Sequence, residues 1–417
     1  MSGRKSSAVE PFTPPADIRH FAGIDWGNSH HQLCILDDDG NVLDQLKVTH
    51  DVAGLDELTT RLRIYQPALA GIAIERSEGL LVETLQAEGF RLFCVSPKLS
   101  ARARERYRIA PTKSDAFDAF VLADSLRFEH HRWRPLATAS PRLAELRALT
   151  RDRERLIVNQ RDVENQLRSI VMAYHPGVLH LFSSLDRDIA LAFLRDYPTP
   201  NAADRLGPSR MAAFCSRHGY SGRTRPEVLV ERLRPHLLHA APGTTDGKAF
   251  SAGLFVDQLD LLNRQLRLIT KRIRDRLADH PDAAIFLSFP GMGQITAATL
   301  LAEMGEDRSR FPNPGVLLAE TGTAPVTKSS GRSRVVRFRY AANKRMRHAI
   351  DWWTFVAARE DDWSGSIYQQ ARDRGQLHNR ALRGLGARWT RILWRCWANH
   401  TTYDPALHHK INRPTTT

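Results

Sequence analysis

Residues 21–48 read FAGIDWGNSHHQLCILDDDGNVLDQLKV, three apolar or alternating runs broken by Gly27-Asn28 and by Asp37-Asp38-Asp39-Gly40. Those breaks carry the residue types that favour tight turns, so the stretch predicts three short strands, Phe21 to Trp26, Gln32 to Leu36 and Val42 to Val48, folded as an antiparallel meander. Beyond it the period alternates. A helical stretch near Leu55 to Tyr65 leads to a buried-type strand Gly71 to Glu75, a helix from Leu80 to Glu88 and a strand from Arg91 to Val95. Three antiparallel strands followed by parallel ones, with helices between, predict a mixed sheet flanked by helices.

That order is the one of the ribonuclease H-like fold. Outward from it, residues 1–20 carry three prolines and little periodicity and predict a disordered basic arm. The α/β domain spans 21–138. Residues 139–280 change to long helices. From Ser140 to Tyr174 one seam reads Leu149, Leu156, Val163 and Ile170, and a second, half polar, reads Leu146, Arg153, Gln160 and Leu167. In the other long helix, Phe255, Leu259, Leu262, Leu266, Ile269 and Ile273 follow alternating spacings of four and three, a heptad seam. Two such helices make an antiparallel hairpin, an intermolecular coiled coil or a core pair of one domain. Residues 175–247 between them read as a helical insertion, 281–400 as a mainly helical all-α C-terminal domain, and 401–417 as a flexible tail.

Composition narrows the class. The 417 residues are 42% apolar and 25% charged, enough for several packed cores. Sixty Lys and Arg against 46 Asp and Glu give a net charge of +14, which favours a polyanionic partner. Cys34, Cys94, Cys215 and Cys396 lie far apart without zinc-ligand spacing, as expected of a reducing cytoplasm. No apolar run approaches the roughly 18 residues of a membrane span.

Asp25 ends the first strand and Glu75 the fourth, neighbours in such a sheet. Asp115 and Asp118, in Lys113-Ser114-Asp115-Ala116-Phe117-Asp118-Ala119, share one helix face, with Ser114 as N-cap. Four converging carboxylates repel one another unless they bind cations, and a pair of Mg²⁺ ions would suit phosphoryl transfer. Taken alone, Asp115 is more simply read as compensating a helix N-terminus.

Basic residues cluster twice. Lys98, Arg102, Arg104, Arg106, Arg108 and Lys113 run into the Asp115 helix. Lys328, Arg332, Arg334, Arg337, Arg339, Lys344, Arg345 and Arg347 occupy a stretch without Asp or Glu, with Phe338 and Tyr340 interleaved for stacking. Both suit a nucleic-acid backbone. Gly291 and Gly293, in Phe289-Pro290-Gly291-Met292-Gly293, form either a helix-hairpin-helix turn that admits a phosphate or a plain tight turn. Ser330, before Gly331, is either a nucleophile in a cationic loop or part of an ordinary flexible loop.

These motifs together resemble the IS110 insertion-sequence transposases and the related Piv-type DNA invertases. The matching pieces are Gly23-Ile24-Asp25-Trp26-Gly27, Ile74-Glu75, Lys113 to Ala119, Phe289 to Gly293, and Ala324-Pro325-Val326 leading to Ser330-Gly331. The resemblance implies a RuvC-like domain whose Asp25, Glu75, Asp115 and Asp118 hold Mg²⁺, a coiled-coil dimerisation segment, and a C-terminal domain whose Ser330 joins DNA covalently. It further implies a structured bridge RNA as guide, donor and target DNA as substrates, a homo-oligomer of two or four chains, and a place with the cytoplasmic nucleoid. Ser329 is a fallback for Ser330, and Glu78 rivals Glu75.

Three other readings stand beside it. One is a RuvC-type metal nuclease that uses water, with Ser330 a phosphate contact. Another follows from Gly23 to Ser29, which also resembles the first phosphate loop of the actin and sugar-kinase fold, although no second glycine-rich loop follows. The last is a non-catalytic RNA-binding scaffold.

Overall fold

The computed structural model describes residues 19–66, 68–107, 114–330 and 333–406, with the main chain alone at Lys328 and Arg334. Nearly all of the expected N-terminal arm, the end of the tail, and Arg108, Lys113, Gly331 and Arg332 lie outside the described residues. The chain forms two compact units. One holds the described residues up to Ala139 with Asp307–Pro312, the other Ser140–Glu306 with the residues from Asn313 onward.

The first unit is built on a five-stranded sheet. Strands β1 (His20–Trp26), β2 (His30–Leu36) and β3 (Val42–Thr49) form the antiparallel meander, and β4 (Leu69–Ile74) and β5 (Leu92–Cys94) continue it in parallel, in the order β3-β2-β1-β4-β5. Helices α1 (Val52–Ile64) and α2 (Leu80–Ala87) cover one face. Their Leu55, Leu58, Leu62, Leu81 and Leu85 pack on Ile24, Leu33, Ile35, Ile72 and Ile74, and each such buried side chain contributes about 1.5–3 kcal/mol. Helix α3 (Pro97–Arg104) follows β5, and α4 (Asp115–Glu129) covers the opposite face through Ala119, Leu122, Ala123 and Leu126.

Gly23 sets how closely α4 lies on the sheet. A Cβ there would stand 2.2 Å from Ala119 O and 2.4 Å from Ala123 N, so only a bare Cα lets the helix backbone rest on β1.

The second unit is helical apart from one hairpin. Helix α5 (Pro141–Tyr174) runs antiparallel to α10 (Pro242–Ala278), as the contacts Glu145–Arg272, Arg153–Thr270 and Gln160–Asn263 require. The two long helices therefore form a hairpin within one chain. Leu146, Val163, Leu167 and Val171 are buried on α5, while Leu149, Leu156 and Ile170 are half-buried. The half-polar seam thus faces inward, because Arg153 and Gln160 find side-chain partners on α10. Helices α6 (Asp188–Asp196), α7 (Pro200–Ala203), α8 (Pro208–Arg217) and α9 (Pro226–Leu233) form the insertion and share one core with the facing halves of α5 and α10.

Helices α11 (Ala283–Leu287), α12 (Gln294–Met304) and α13 (Pro314–Glu320) precede a hairpin of β6 (Val326–Ser330) and β7 (Ser333–Arg337). Then come α14 (Lys344–Glu360), α15 (Asp362–Asp373) and α16 (His378–Ala398), around an aromatic core of Phe289, Trp353, Trp389 and Tyr403. No described helix is long and apolar enough to cross a membrane.

Candidate active site

The carboxylates gather at the C-terminal edge of the parallel strands. Ile24 and Ile74 are partners in the β1–β4 ladder, so Asp25 and Glu75 leave adjacent strands side by side, both half-buried. Ser114 caps α4, its Oγ accepting from Phe117 N, and places Asp115 and Asp118 in the first turn. Asp118 is buried, whereas Asp115 is exposed one turn-edge away.

A cation already sits among them. Arg104, at the end of α3, donates from Nη1 to Asp118 Oδ1 at 2.7 Å, and its Nη2 lies 4.0 Å from Glu75 Oε1. Arg104 belongs to the basic stretch that also contains Lys98, Arg102 and Arg106. Those three are exposed, but Arg104 turns inward to the carboxylates. Glu78 is exposed beyond Glu75. Among the described residues no three acidic, histidine or cysteine side chains stand ready-made around one metal position. The donor chemistry nevertheless fits a hard divalent cation, because the set is all carboxylate oxygen and two of its members, Glu75 and Asp118, already share one positive charge.

The rim holds residues that sequence reasoning missed. The Arg76 guanidinium stacks 3.6 Å over the Trp26 ring, and Trp26 stacks on His31, which in turn meets His50 with 2.7 Å between Nε2 and Nδ1. Burial first, then the neighbouring His50 and His30, pull the His31 pKa down to about 4, so the ring is neutral. On α4, buried Asp124 accepts from Tyr107 OH and from Nε and Nη2 of Arg127. Burial, reinforced by that carboxylate, pushes the Tyr107 phenol up. An aspartate inside the apolar run Ala119 to Leu126 was the available signal for this second pair.

The serine segment is a hairpin rather than a loop. Ser330 pairs with Ser333 at its tip and Ser329 with Arg334. Ser329 and Ser330 are both exposed and, by strand alternation, point to opposite faces. Of the basic residues around them, Arg337 and Lys344 are exposed. Three others have structural partners. Arg339 donates to Ala324 O at 3.1 Å, Arg347 to Arg339 O at 2.6 Å, and Arg345 to Glu154 at 2.7 Å. Arg345 is therefore not the uncompensated cation that its acid-free stretch suggested.

Asn343 fixes the exit from the hairpin. Its Oδ1 caps α14 by accepting from Arg345 N and Met346 N, while its Nδ2 donates to buried Glu303 at 2.8 Å. Glu303 also accepts the Arg151 fork at 2.9 and 3.2 Å. Burial alone would raise the Glu303 carboxyl, but Arg151 and Asn343 outweigh it and hold it below its ordinary value.

The two candidate phosphate-binding glycines differ. Gly291, at φ +67°, would put a Cβ 2.8 Å from Ala357 N, so it serves close packing against α14, while Gly293 is exposed with open space beside it.

Residues 22–176 match the model of the DEDD transposase domain of IS110 elements, and residues 283–369 match that of the IS116/IS110/IS902 transposase family. The chain is 35% identical over 396 residues to the mini-circle putative transposase for IS117 of Streptomyces coelicolor, covering 92% of this chain and 95% of that one. This chain belongs to the IS110/IS116 transposase family. An IS900 protein of 42 kDa from Mycobacterium paratuberculosis is 29% identical, covering 93% and 97% of the two chains, and an IS116 protein from Streptomyces clavuligerus is 28% identical, covering 93% and 97%. All four carboxylates of this transposase fall in the first matched segment, and Ser329 and Ser330 fall in the second.

Proposed function

We propose that this transposase cuts and rejoins DNA strands through a covalent phosphoserine intermediate on Ser330, with Asp25, Glu75, Asp115 and Asp118 as the metal-binding set of a RuvC-like, ribonuclease H-like domain. The observation that carries the reading is the gathering of Glu75 and Asp118 around one guanidinium beside Asp25. The sheet order, three antiparallel strands and then two parallel, supports the ribonuclease H-like assignment. Ser330, exposed at a hairpin tip, is accessible to a phosphodiester.

In the proposed step, Ser330 Oγ bonds to phosphorus, the bond from phosphorus to the leaving sugar oxygen breaks, and the serine proton ends on that oxygen. One phosphodiester replaces another, so rejoining by the reverse step needs no further reactant. Bound Mg²⁺ would supply Lewis-acid stabilisation of the charge that develops on the phosphate. Asp25 and Glu75 would hold it from the strand ends, Asp118 would join them when Arg104 yields, and Asp115 would complete the set from the exposed first turn of α4. Lys98, Arg102, Arg106, Arg337 and Lys344 would bind backbone phosphates.

A bridge RNA encoded by the element is the guide in this reading, so that base pairing rather than side chains selects donor and target DNA. Oligomerisation is supported by α10. Leu254, Leu261 and Leu268 are exposed and seven apart, an apolar line that α5 does not cover.

The test is to purify the full chain with the flanking RNA of its element, add Mg²⁺ and labelled donor DNA, and look for a protein–DNA adduct that survives denaturant. An adduct present in the wild type and in Ser329→Ala, and absent in Ser330→Ala and Asp25→Ala, is the expected result. Cleaved DNA without any adduct would instead establish hydrolysis by water.

A further inference from the structure

We propose that the outer face of α16 is a docking surface for the backbone of duplex DNA, separate from the basic stretches described above. Helix α16 carries Arg380, Arg383, Arg388, Arg391 and Arg395 and no acidic residue. At 3.6 residues per turn these five fall within an arc of about 140°, and from the first to the last they extend about 22 Å along the axis. Arg380, Arg388, Arg391 and Arg395 are exposed. Among the described residues none of the four has an ion pair with a carboxylate, and Arg391 bonds only to its own helix at Ala387 O. A solvated helix face normally mixes signs or pairs its charges at i and i+4. This one does neither.

The opposite face explains why the helix exists: Leu385, Trp389, Leu393 and Trp397 are buried. It does not explain Gly384. That residue sits in the middle of the arginine arc, exposed, with nothing within 4 Å of where a Cβ would stand. Glycine is a poor helix former, and here no packing neighbour requires it. Gly386 differs, since its Cβ would meet Thr354 Oγ1 at 3.0 Å. A bare Cα flanked by Arg380 and Arg388 lets a large anionic surface approach the helix backbone closely.

Arg383 ties this face to the serine hairpin. Its guanidinium lies 4.5 Å from the centre of the Phe338 ring, and Arg347 lies 4.7 Å from the same ring. Phe338 directly follows β7 in sequence, so a duplex lying along α16 borders the segment that carries Ser330. That continuity, together with the DNA substrate of a transposase, favours DNA over RNA as the occupant. The helix lies outside both segments matched by the family models. The inference rests on the reading that this chain acts on DNA, but not on Ser330 being the nucleophile.

The test measures binding of the full chain to a fluorescent 30-base-pair DNA duplex across a salt series, for the wild type and for Arg388→Gln/Arg391→Gln/Arg395→Gln. Each lost phosphate contact lowers the slope of log affinity against log salt by about 0.9, so the triple variant should lose about two to three units of slope, with at least tenfold weaker binding at physiological salt. The matching triple lysine variant should restore most of the slope, which a folding defect would not allow. An unchanged slope in the glutamine variant overturns the inference while leaving the serine chemistry intact. Loss of affinity for a structured RNA hairpin alone, with DNA binding kept, overturns the assignment to DNA. A wild-type chain that binds no DNA would overturn both this face and the function proposed above.

Discussion

Arg104 Nη1 stands 2.7 Å from Asp118 Oδ1, and the same guanidinium reaches Glu75 Oε1 at 4.0 Å. Two of the carboxylates thereby share one positive charge from a side chain of the chain's own basic segment. If the carboxylates hold a metal as proposed, an arginine so placed would compete with the cation for the same oxygens.

Replacing that competitor should strengthen metal binding. Arg104→Gln is expected to bind Mn²⁺ more tightly by on the order of tenfold, the equivalent of about 1.4 kcal/mol, in an electron paramagnetic resonance titration without nucleic acid. Equal affinity in the two proteins would mean that Arg104 does not occupy the metal position.

The contact of α4 with β1 is the most sensitive point of the first unit. Gly23→Ala places a methyl group against the backbone of Ala119 and Ala123, and overpacking of this kind typically costs about 1–3 kcal/mol. Thermal unfolding should show a lower midpoint. Adduct formation should fall further than stability does, because the displaced helix carries Asp118.

Asn343 couples the hairpin exit to the buried Glu303–Arg151 pair. Asn343→Ala removes the cap of α14, worth about 1 kcal/mol, and one of the bonds to Glu303. Urea unfolding should register the loss, and Asn343→Asp, although it also caps, should be worse than Ala because it sets a second carboxylate against Glu303.

Stability of the helical insertion should depend on pH through His175. The ring is fully buried between Tyr174 and Phe193, and burial, against the weaker upward pull of the Tyr197 backbone and with a small further push from His239, brings its pKa down to about 4. Its folded pKa is depressed below the ordinary value near 6.5, so the unfolded chain binds the proton more readily. Stability is therefore complete above about pH 6.5 and falls as pH drops toward 4, by up to about 3 kcal/mol. His175→Leu should flatten the urea midpoint across that window, and an equally steep decline in the variant would assign the dependence to other groups.

The sheet and the long helices were legible because their signals are local. The three meander strands and β4 lie within a few residues of where turn residues and apolar periods place them. The α5 seam was less so. Leu149, Leu156 and Ile170 look more apolar than Arg153 and Gln160, yet the polar pair faces inward because Thr270 and Asn263 meet it from α10. Pattern along one helix cannot reveal its partner's side chains. The inward turn of Arg104 was illegible for the same reason, since nothing in α3 distinguishes it from Arg102 until Asp118 is brought near. Ser330 was read for chemistry and not for turn geometry, although a serine and glycine between β-branched residues is also a hairpin signal. The arginine arc of α16 lies in the sequence as spacing alone, and spacing does not show which face of a helix its neighbours leave uncovered.

The hairpin of β6 and β7 has a consequence for timing. Two five-residue strands without a third partner are only marginally stable by themselves. On the reading proposed above, a bound DNA strand would add contacts to the hairpin that carries Ser330, so that engagement of the substrate and the geometry of the serine would be coupled.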